Sequence, residues 1–216
     1  MLENLKEQVV ATALKAQRSG LCKHKSGNVS VRDPETGYVC VTPSGVDREE
    51  LTADMVCVLD TDGKVLEGMK PSSESLMHLA CYRERPDVFA IVHTHSPMAC
   101  VFACLNRPIP AFIFELFGFN LDKATIPVAP YGLPGTTQLA ENVAETMKRT
   151  DLALMERHGA IALGKTPAEA FDNADYIEEL SNIYYHILTL NGGKDTKVFT
   201  EEDFKAWKYP DQLSKK

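Results

Sequence analysis

Between Val29 and Leu66 the sequence runs through four short valine-rich segments: VSVR, YVCVT, MVCVLD and KVLEG. DPETG, TPSG and TDG punctuate them. Nothing else in the chain constrains the fold as strongly. Each segment is shorter than a stable helix, and its β-branched residues suit a pleated surface. The Gly, Pro and Asp between them form turns. The stretch reads as consecutive antiparallel strands.

Helical patterns flank it. Leu2, Leu5, Val9, Thr12/Ala13 and Ala16 recur at helical spacing over residues 2–19, and Gly20 suits the stop. Further on, the pattern predicts a helix at 74–84, the breaker RPD, a strand over Val88–His93 and a short helix at 97–104. Residues 108–131 are apolar with prolines, and strands are expected at 111–117 and 124–128. GTTQLAENVAETMKR is a helix that Thr136 or Thr137 can cap. DLALMERHGAIAL is a strand pair around Glu156–Gly159. The segment 166–190 is the clearest helix, with Thr166 as cap, Pro167 in the first turn and Glu169 completing a capping box. A last short helix near 201–207 starts at Thr200, with Asp203 three residues on. No repeat or linker divides the chain, so one α/β domain of the α+β type is expected over residues 1–216, with a largely antiparallel central sheet.

A chain of 216 residues buries enough surface for a core without disulfides. Its net charge of −7, with no Lys/Arg cluster, argues against a nucleic-acid surface. No apolar run approaches the roughly 20 residues of a membrane span. The opening MLENLKEQVV is amphipathic, unlike a secretory signal. Cys22, Cys40, Cys57, Cys81, Cys100 and Cys104 form no C-x-x-C and sit mostly in apolar runs, as reduced core residues of a cytoplasmic protein do.

The stretch IVHTHSPMAC places His93 and His95 two residues apart. On a continuing strand both project to one face. They are either a metal pair or two hydrogen-bonded histidines. His158, in MERHGAIAL, offers a third nitrogen beside a glycine that permits close backbone approach. Glu74, in KPSSESLMH, offers an oxygen. Three imidazoles and a carboxylate suit Zn2+, and Mn2+, Co2+ or Fe2+ could use the same set. Their wide separation suits an assembled catalytic site. His78 lies four residues after Glu74 on the same helix face, as either a supporting group or a surface histidine. His24 and His186 lack such context.

Three turns share an anion-binding chemistry. Gly27 and Asn28 stand in KSGNVS; Thr42, Ser44 and Gly45 in TPSGVD; Ser72 and Ser73 just before a helix start. Singly each is an ordinary turn, and Ser73 could be a helix cap. Together, two serines directly before Glu74 would set an anion beside a metal.

SGNVSVR, TPSG, KPSSE followed by MH, HTHSP, APYGLPGT and RHGAIALG occur here in the order seen in the class II aldolase/adducin family. The chain resembles that family from about residue 5 to 205, and within it the L-fuculose-1-phosphate aldolases. The resemblance implies a nine-stranded, largely antiparallel sheet flanked by helices, in a homotetramer. It implies zinc held by His93, His95, His158 and a displaceable Glu74, and phosphate held by Gly27, Asn28, Ser44, Gly45, Ser72 and Ser73. The implied reaction splits a ketose 1-phosphate into dihydroxyacetone phosphate and an aldehyde through a zinc-stabilised enediolate, with Glu74 as general acid/base.

One position departs from the pattern. Fuculose aldolases carry a proton-donating tyrosine after IPA, where this chain has IPAFIFELFGFN with Phe114. The adjacent Glu115 could supply the acid, or be an edge-strand or interface glutamate. Tyr209 in WKYPD is another donor candidate. Within the family the alternatives are a sugar-phosphate 4-epimerase, a methylthioribulose-1-phosphate dehydratase and a deoxypentulose-phosphate aldolase. Outside it stand a non-catalytic adducin-like scaffold, whose heads lack the full metal set, and a zinc hydrolase.

Overall fold

The structure, a computed structural model, describes residues 2–208. The valine-rich segments form β1 (Asn28–Arg32), β2 (Val39–Val41), β3 (Cys57–Leu59) and β4 (Val65–Glu67), each antiparallel to the next. β5 (Ala90–Thr94) pairs with β1 on one side and with β10 (Gly159–Gly164) on the other. β9 (Leu152–Met155) and β8 (Val128–Ala129) complete the order β4-β3-β2-β1-β5-β10-β9-β8. The expected nine-stranded sheet is therefore eight-stranded. It is also mixed, because β8 and β9 run parallel. A separate two-stranded ribbon joins β6 (Ile109–Pro110) to β7 (Thr125–Ile126).

Helices cover both faces. α1 (Glu3–Arg18), α3 (Pro97–Cys104) and α5 (Pro167–Leu190) pack on one side through Val9, Ala13, Phe102, Phe171, Ile177 and Tyr184, against Val29, Val31, Val92 and Ala162. α2 (Ser75–Glu84) and α4 (Thr137–Met147) pack on the other, against Val39, Val41, Ile91, Ile161 and Leu163. With helices on both faces, alternate side chains of a strand all meet apolar partners. The strands accordingly read as unbroken apolar runs. All six cysteines are free, four of them buried. No helix among the described residues is long and apolar enough to cross a membrane.

Two local expectations are corrected. Residues 111–117 form no strand: Phe114–Gly118 is a short 3-10 helix. The C-terminal segment lies over this region, with Phe199 N–H donating to Ala111 O at 2.6 Å. The Phe117 ring stacks on Phe204 at 4.3 Å and meets Phe199 edge-on at 4.9 Å. Aromatic packing across the segment replaces a ladder along it. At the start of α5, Thr166 Oγ1 accepts from Glu169 N–H at 3.1 Å. The Glu169 carboxylate accepts from Lys165 N–H instead of completing a box at Thr166. The true capping box is at α6 (Glu201–Ala206), between Thr200 and Asp203.

α3 follows the HTHS stretch directly, and its N-terminus is tied down from α5. The Glu178 carboxylate accepts from Met98 N–H at 2.9 and 3.0 Å and from Ala99 N–H at 2.9 Å. A carboxylate there answers both the orphan amides and the helix dipole. Glu178→Ala is expected to lower stability by about 1–2 kcal/mol, read as a shifted denaturant midpoint. An unchanged midpoint would show that the cap contributes nothing.

Candidate metal centre

His93 lies on β5 near the middle of the sheet and is fully buried. It shares the parity of Ile91, so its side chain leaves the sheet on the α2/α4 side. His95, two residues on, brings its Nε2 within 3.0 Å of His93 Nε2. His158 enters from the turn between β9 and β10. Arg157 takes a left-handed backbone there (φ 54°), and His158 N–H donates to Met155 O at 3.0 Å. Gly159 follows because nothing larger fits: a Cβ would lie 2.2 Å from Thr94 O and 3.2–3.3 Å from the His95 and His93 rings.

Glu74 sits at the start of α2, yet its side chain makes no cap hydrogen bond. The carboxylate turns to the imidazoles instead, with Oε2 3.2 Å from His93 Nε2 and Oε1 3.0 Å from His158 Nε2. Each of the four side chains offers a ligand atom, and these atoms all lie within 4.8 Å of one another. The three rings stand edge to face, with centroids 4.8, 4.8 and 5.0 Å apart and planes inclined at 67°, 77° and 80°. The short Nε2 distances, 3.0 Å between His93 and His95 and 3.2 and 3.0 Å from Glu74 to His93 and His158, bring the three Nε2 atoms to one common region.

The electrostatics agree. Burial alone would raise the Glu74 carboxyl, but the facing His93 and His158 outweigh it and hold the group well below the usual carboxylate range. Burial likewise opposes charge on His93, yet Glu74 raises its pKa. Burial, then His93 and His158, push His95 down to about 4. His93 Nδ1 donates to Ala160 O at 2.8 Å, which fixes its tautomer and leaves the Nε2 lone pair facing inward. Glu74 Oε1 and His158 Nδ1 are buried without hydrogen-bond partners. Inward lone pairs, close nitrogens and an orphaned carboxylate oxygen together fit a divalent cation, and three nitrogens with one oxygen suit zinc.

The three turns gather beside this group. Ser44 N–H donates to Lys70 O at 3.0 Å and Ser72 N–H to Thr42 O at 3.1 Å, so the 42–45 and 70–73 turns lie side by side. Gly27 has φ +69° and packs so tightly that a Cβ would meet Cys22 Sγ and His93 O at 2.5 Å. Gly45 has φ +75° with open space around it. Ser72 Oγ accepts from Glu74 N–H at 3.3 Å, and a Cβ added at Gly135 would lie 3.1 Å from Ser73 O. Asn28 Nδ2 donates to Glu74 Oε2 at 2.9 Å.

Glu115 is not part of this group. It is exposed in the 3-10 turn, beside Ile113, Tyr176 and Glu179. Phe114 is exposed too and stacks on Phe117. Tyr209 lies outside the described residues. His24 and His186 are exposed and distant in sequence from the cluster. His78, by contrast, is fully buried and bonded to Asn28 and Ser30. Ser30, Tyr82 and Arg48 escaped the sequence reading. For the first two a signal existed: Glu74, His78 and Tyr82 follow one another at four-residue spacing, and Ser30 interrupts a valine strand. The Arg48 guanidinium is buried and donates to Gly27 O and Val46 O, both at 2.8 Å.

A three-layer fold carrying a largely buried His3Glu group has the donor set of a divalent metal centre. The sequence model described as Class II Aldolase and Adducin N-terminal domain matches residues 7–185, and the chain belongs to that family. A 5-deoxy-D-ribulose 1-phosphate aldolase of Bacillus thuringiensis is 37% identical over 94% of this chain and 93% of its own length. An L-fuculose phosphate aldolase of Escherichia coli is 37% identical over 86% of this chain and 85% of its own. A solved L-fuculose 1-phosphate aldolase superposes with a TM-score of 0.86 at 33% identity, covering 94% of this chain and 93% of that one. Like these relatives the chain is a lyase of the class II, metal-dependent type.

Gly159→Ala is expected to cost about 1–3 kcal/mol through overpacking and to spread the His93–His158 pair, lowering zinc affinity. Gly118→Ala, with nothing within 4 Å of the added carbon, is the silent comparison. Equal zinc affinity in the two variants would contradict the tight packing of the turn.

Proposed function

We propose that this chain is an aldolase that splits a ketose 1-phosphate into dihydroxyacetone phosphate and an aldehyde. The observation that carries the reading is the convergence of Glu74, His93, His95 and His158 on one region beside three glycine- and serine-rich turns. Zn2+ is the ion its donor set favours, with Mn2+, Co2+ or Fe2+ as substitutes. When bound, the cation supplies Lewis acidity for the negative charge that develops on substrate oxygens.

The chain's own groups do the rest. Backbone N–H groups at Gly27 and Gly45, the hydroxyls of Ser44, Ser72 and Ser73, and the second hydrogen on Asn28 Nδ2 are the donors we assign to the phosphate. The buried Arg48, bonded to Gly27 O and Val46 O, adds positive charge behind two of those turns. In cleavage, a hydroxyl on the aldehyde side loses its proton, the carbon–carbon electron pair moves onto the ketone fragment, and that fragment's carbon is protonated. Glu74 Oε1, 3.0 Å from His158 Nε2, is the group we assign to deliver that last proton after taking it up from solvent. Glu115 takes the proton of the aldehyde-side oxygen, reaching the site of a neighbouring copy.

A deoxypentulose 1-phosphate is the second substrate reading, favoured by the Bacillus thuringiensis relative and by Phe114 in place of a tyrosine. Six free cysteines support a cytoplasmic enzyme. The exposed Phe114, Val198 and Trp207 support subunit contact in a homotetramer.

Assays of dihydroxyacetone phosphate release from fuculose, rhamnulose and 5-deoxyribulose 1-phosphates, with metal analysis, test the reading. His95→Ala should lose both the bound ion and turnover; an active, metal-free variant would end the proposal. Glu115→Gln should lower kcat by about 100-fold, the scale of one general acid–base group, with the bound metal unchanged. Undiminished turnover would remove Glu115 from the scheme.

A further inference from the structure

Behind Glu74 runs a chain of buried polar groups, of which the proposed reaction uses only Asn28. Asn28 Nδ2 donates to Glu74 Oε2 at 2.9 Å, and Asn28 Oδ1 pairs with His78 Nε2. His78 Nδ1 lies 2.7 Å from Ser30 Oγ, which lies 2.8 Å from Tyr82 Oη. Tyr82 Oη also stands 3.1 Å from Ser30 O. His78 and Ser30 are 0% exposed and Asn28 and Tyr82 4%, so water cannot replace a missing link.

Hydrogen counting gives the chain one direction. A carboxylate only accepts, so the NH2 of Asn28 must face Glu74 and its Oδ1 must face His78. An amide oxygen also only accepts, so His78 carries its proton on Nε2. His78 Nδ1 is then an acceptor, and Ser30 must donate to it. Tyr82 has one hydrogen to share between Ser30 Oγ at 2.8 Å and Ser30 O at 3.1 Å. The opposite tautomer would turn Asn28 over and set its oxygen against the Glu74 carboxylate.

We propose that His78 is a positioning residue, held in its Nε2–H tautomer by Ser30 and Tyr82, that locks the Asn28 amide so that it presents N–H to Glu74 and fixes that carboxylate for the metal. The inference rests on the reading of Glu74 as a metal ligand. Its parts lie on one helix stripe, Glu74, His78 and Tyr82, and on one facing strand, Asn28 and Ser30. The helix that starts at the ligand thus carries the ligand's own support one and two turns later.

Two variants separate positioning from mere filling. In His78→Gln the new amide nitrogen falls near the Nε2 position and can still donate to Asn28. In His78→Asn the amide falls near Nδ1 and cannot. In the full-length protein, zinc affinity by chelator competition should fall about ten- to hundred-fold in His78→Asn and stay within about threefold in His78→Gln, the scale on which supporting partners of metal ligands act. The visible spectrum of the Co2+-loaded protein should shift only in the former. Long-range 1H–15N spectra of the metal-free wild type should show His78 protonated at Nε2 alone. This last measurement needs no variant to fold, and Tyr82→Phe supplies a milder second one that should weaken zinc in the same direction.

A His78 protonated at Nδ1, or zinc binding as tight in His78→Asn as in wild type, overturns the relay and leaves the metal reading standing. A wild-type chain that binds no divalent ion overturns the metal reading first.

Discussion

A carboxylate withdrawn from water and faced with three imidazoles is the interaction on which the rest of this structure turns. Burying an ionised carboxylate costs several kcal/mol unless positive charge or donors answer it. Glu74 is answered by both: His93 and His158 stand 3.2 and 3.0 Å from its two oxygens, and Asn28 donates to one of them. Without an ion, the raised pKa of His93 lets a proton provide part of that positive charge. A divalent cation answers the same deficit more completely, and it also relieves the approach of two imidazole nitrogens to 3.0 Å. The same deficit favours a cation at this group over a set of ordinary core histidines.

The sheet makes this arrangement possible. β5 lies between β1 and β10, so His93 is held from both sides, opposite Asn28 on β1 and Ile161 on β10. Residues so far apart in sequence meet because the strands are antiparallel: the end of β5 meets the start of β1 and the start of β10. The turn before β10 then delivers His158. The α2/α4 layer closes over the same face and delivers Glu74 from the first residue before α2. The four candidate ligands come from β5 itself and from three connections around it, over the hydrogen-bonded β1–β5–β10 ladder.

Much of this was legible in the sequence, for identifiable reasons. The valine-rich segments became β1 to β4, and the short helix after His95 spans Pro97–Cys104 as expected, because Pro at the first turn and the following apolar residues leave little choice. His93 and His95 read as neighbours because the strand period is two. The failures share another cause. Residues 111–117 looked like a strand by composition, but their partner is the C-terminal segment, through Phe117 against Phe199 and Phe204, a contact no local pattern encodes. The strand number differed because β6 and β7, two residues each, pair with one another outside the main sheet. His78 stayed ambiguous because helical spacing says which face a residue shares and not whether a strand serine waits opposite it.

The His3Glu group and the turns beside it are joined by direct contacts. Asn28 is the cross-strand partner of His93, and the preceding Gly27 lies against His93 O so closely that no side chain fits. Asn28 in turn holds Glu74, whose own N–H is bonded to Ser72 Oγ. A group bound by the Gly27 or Ser72 turns therefore acts on the same short bonds that orient the carboxylate. Affinity at the turns and the position of Glu74 cannot be tuned independently. A substitution at either end of this unit is felt at the other through two hydrogen bonds, Asn28 to Glu74 and Glu74 N–H to Ser72 Oγ, so a glycine, an asparagine and a serine outside the candidate ligand set bear on its geometry.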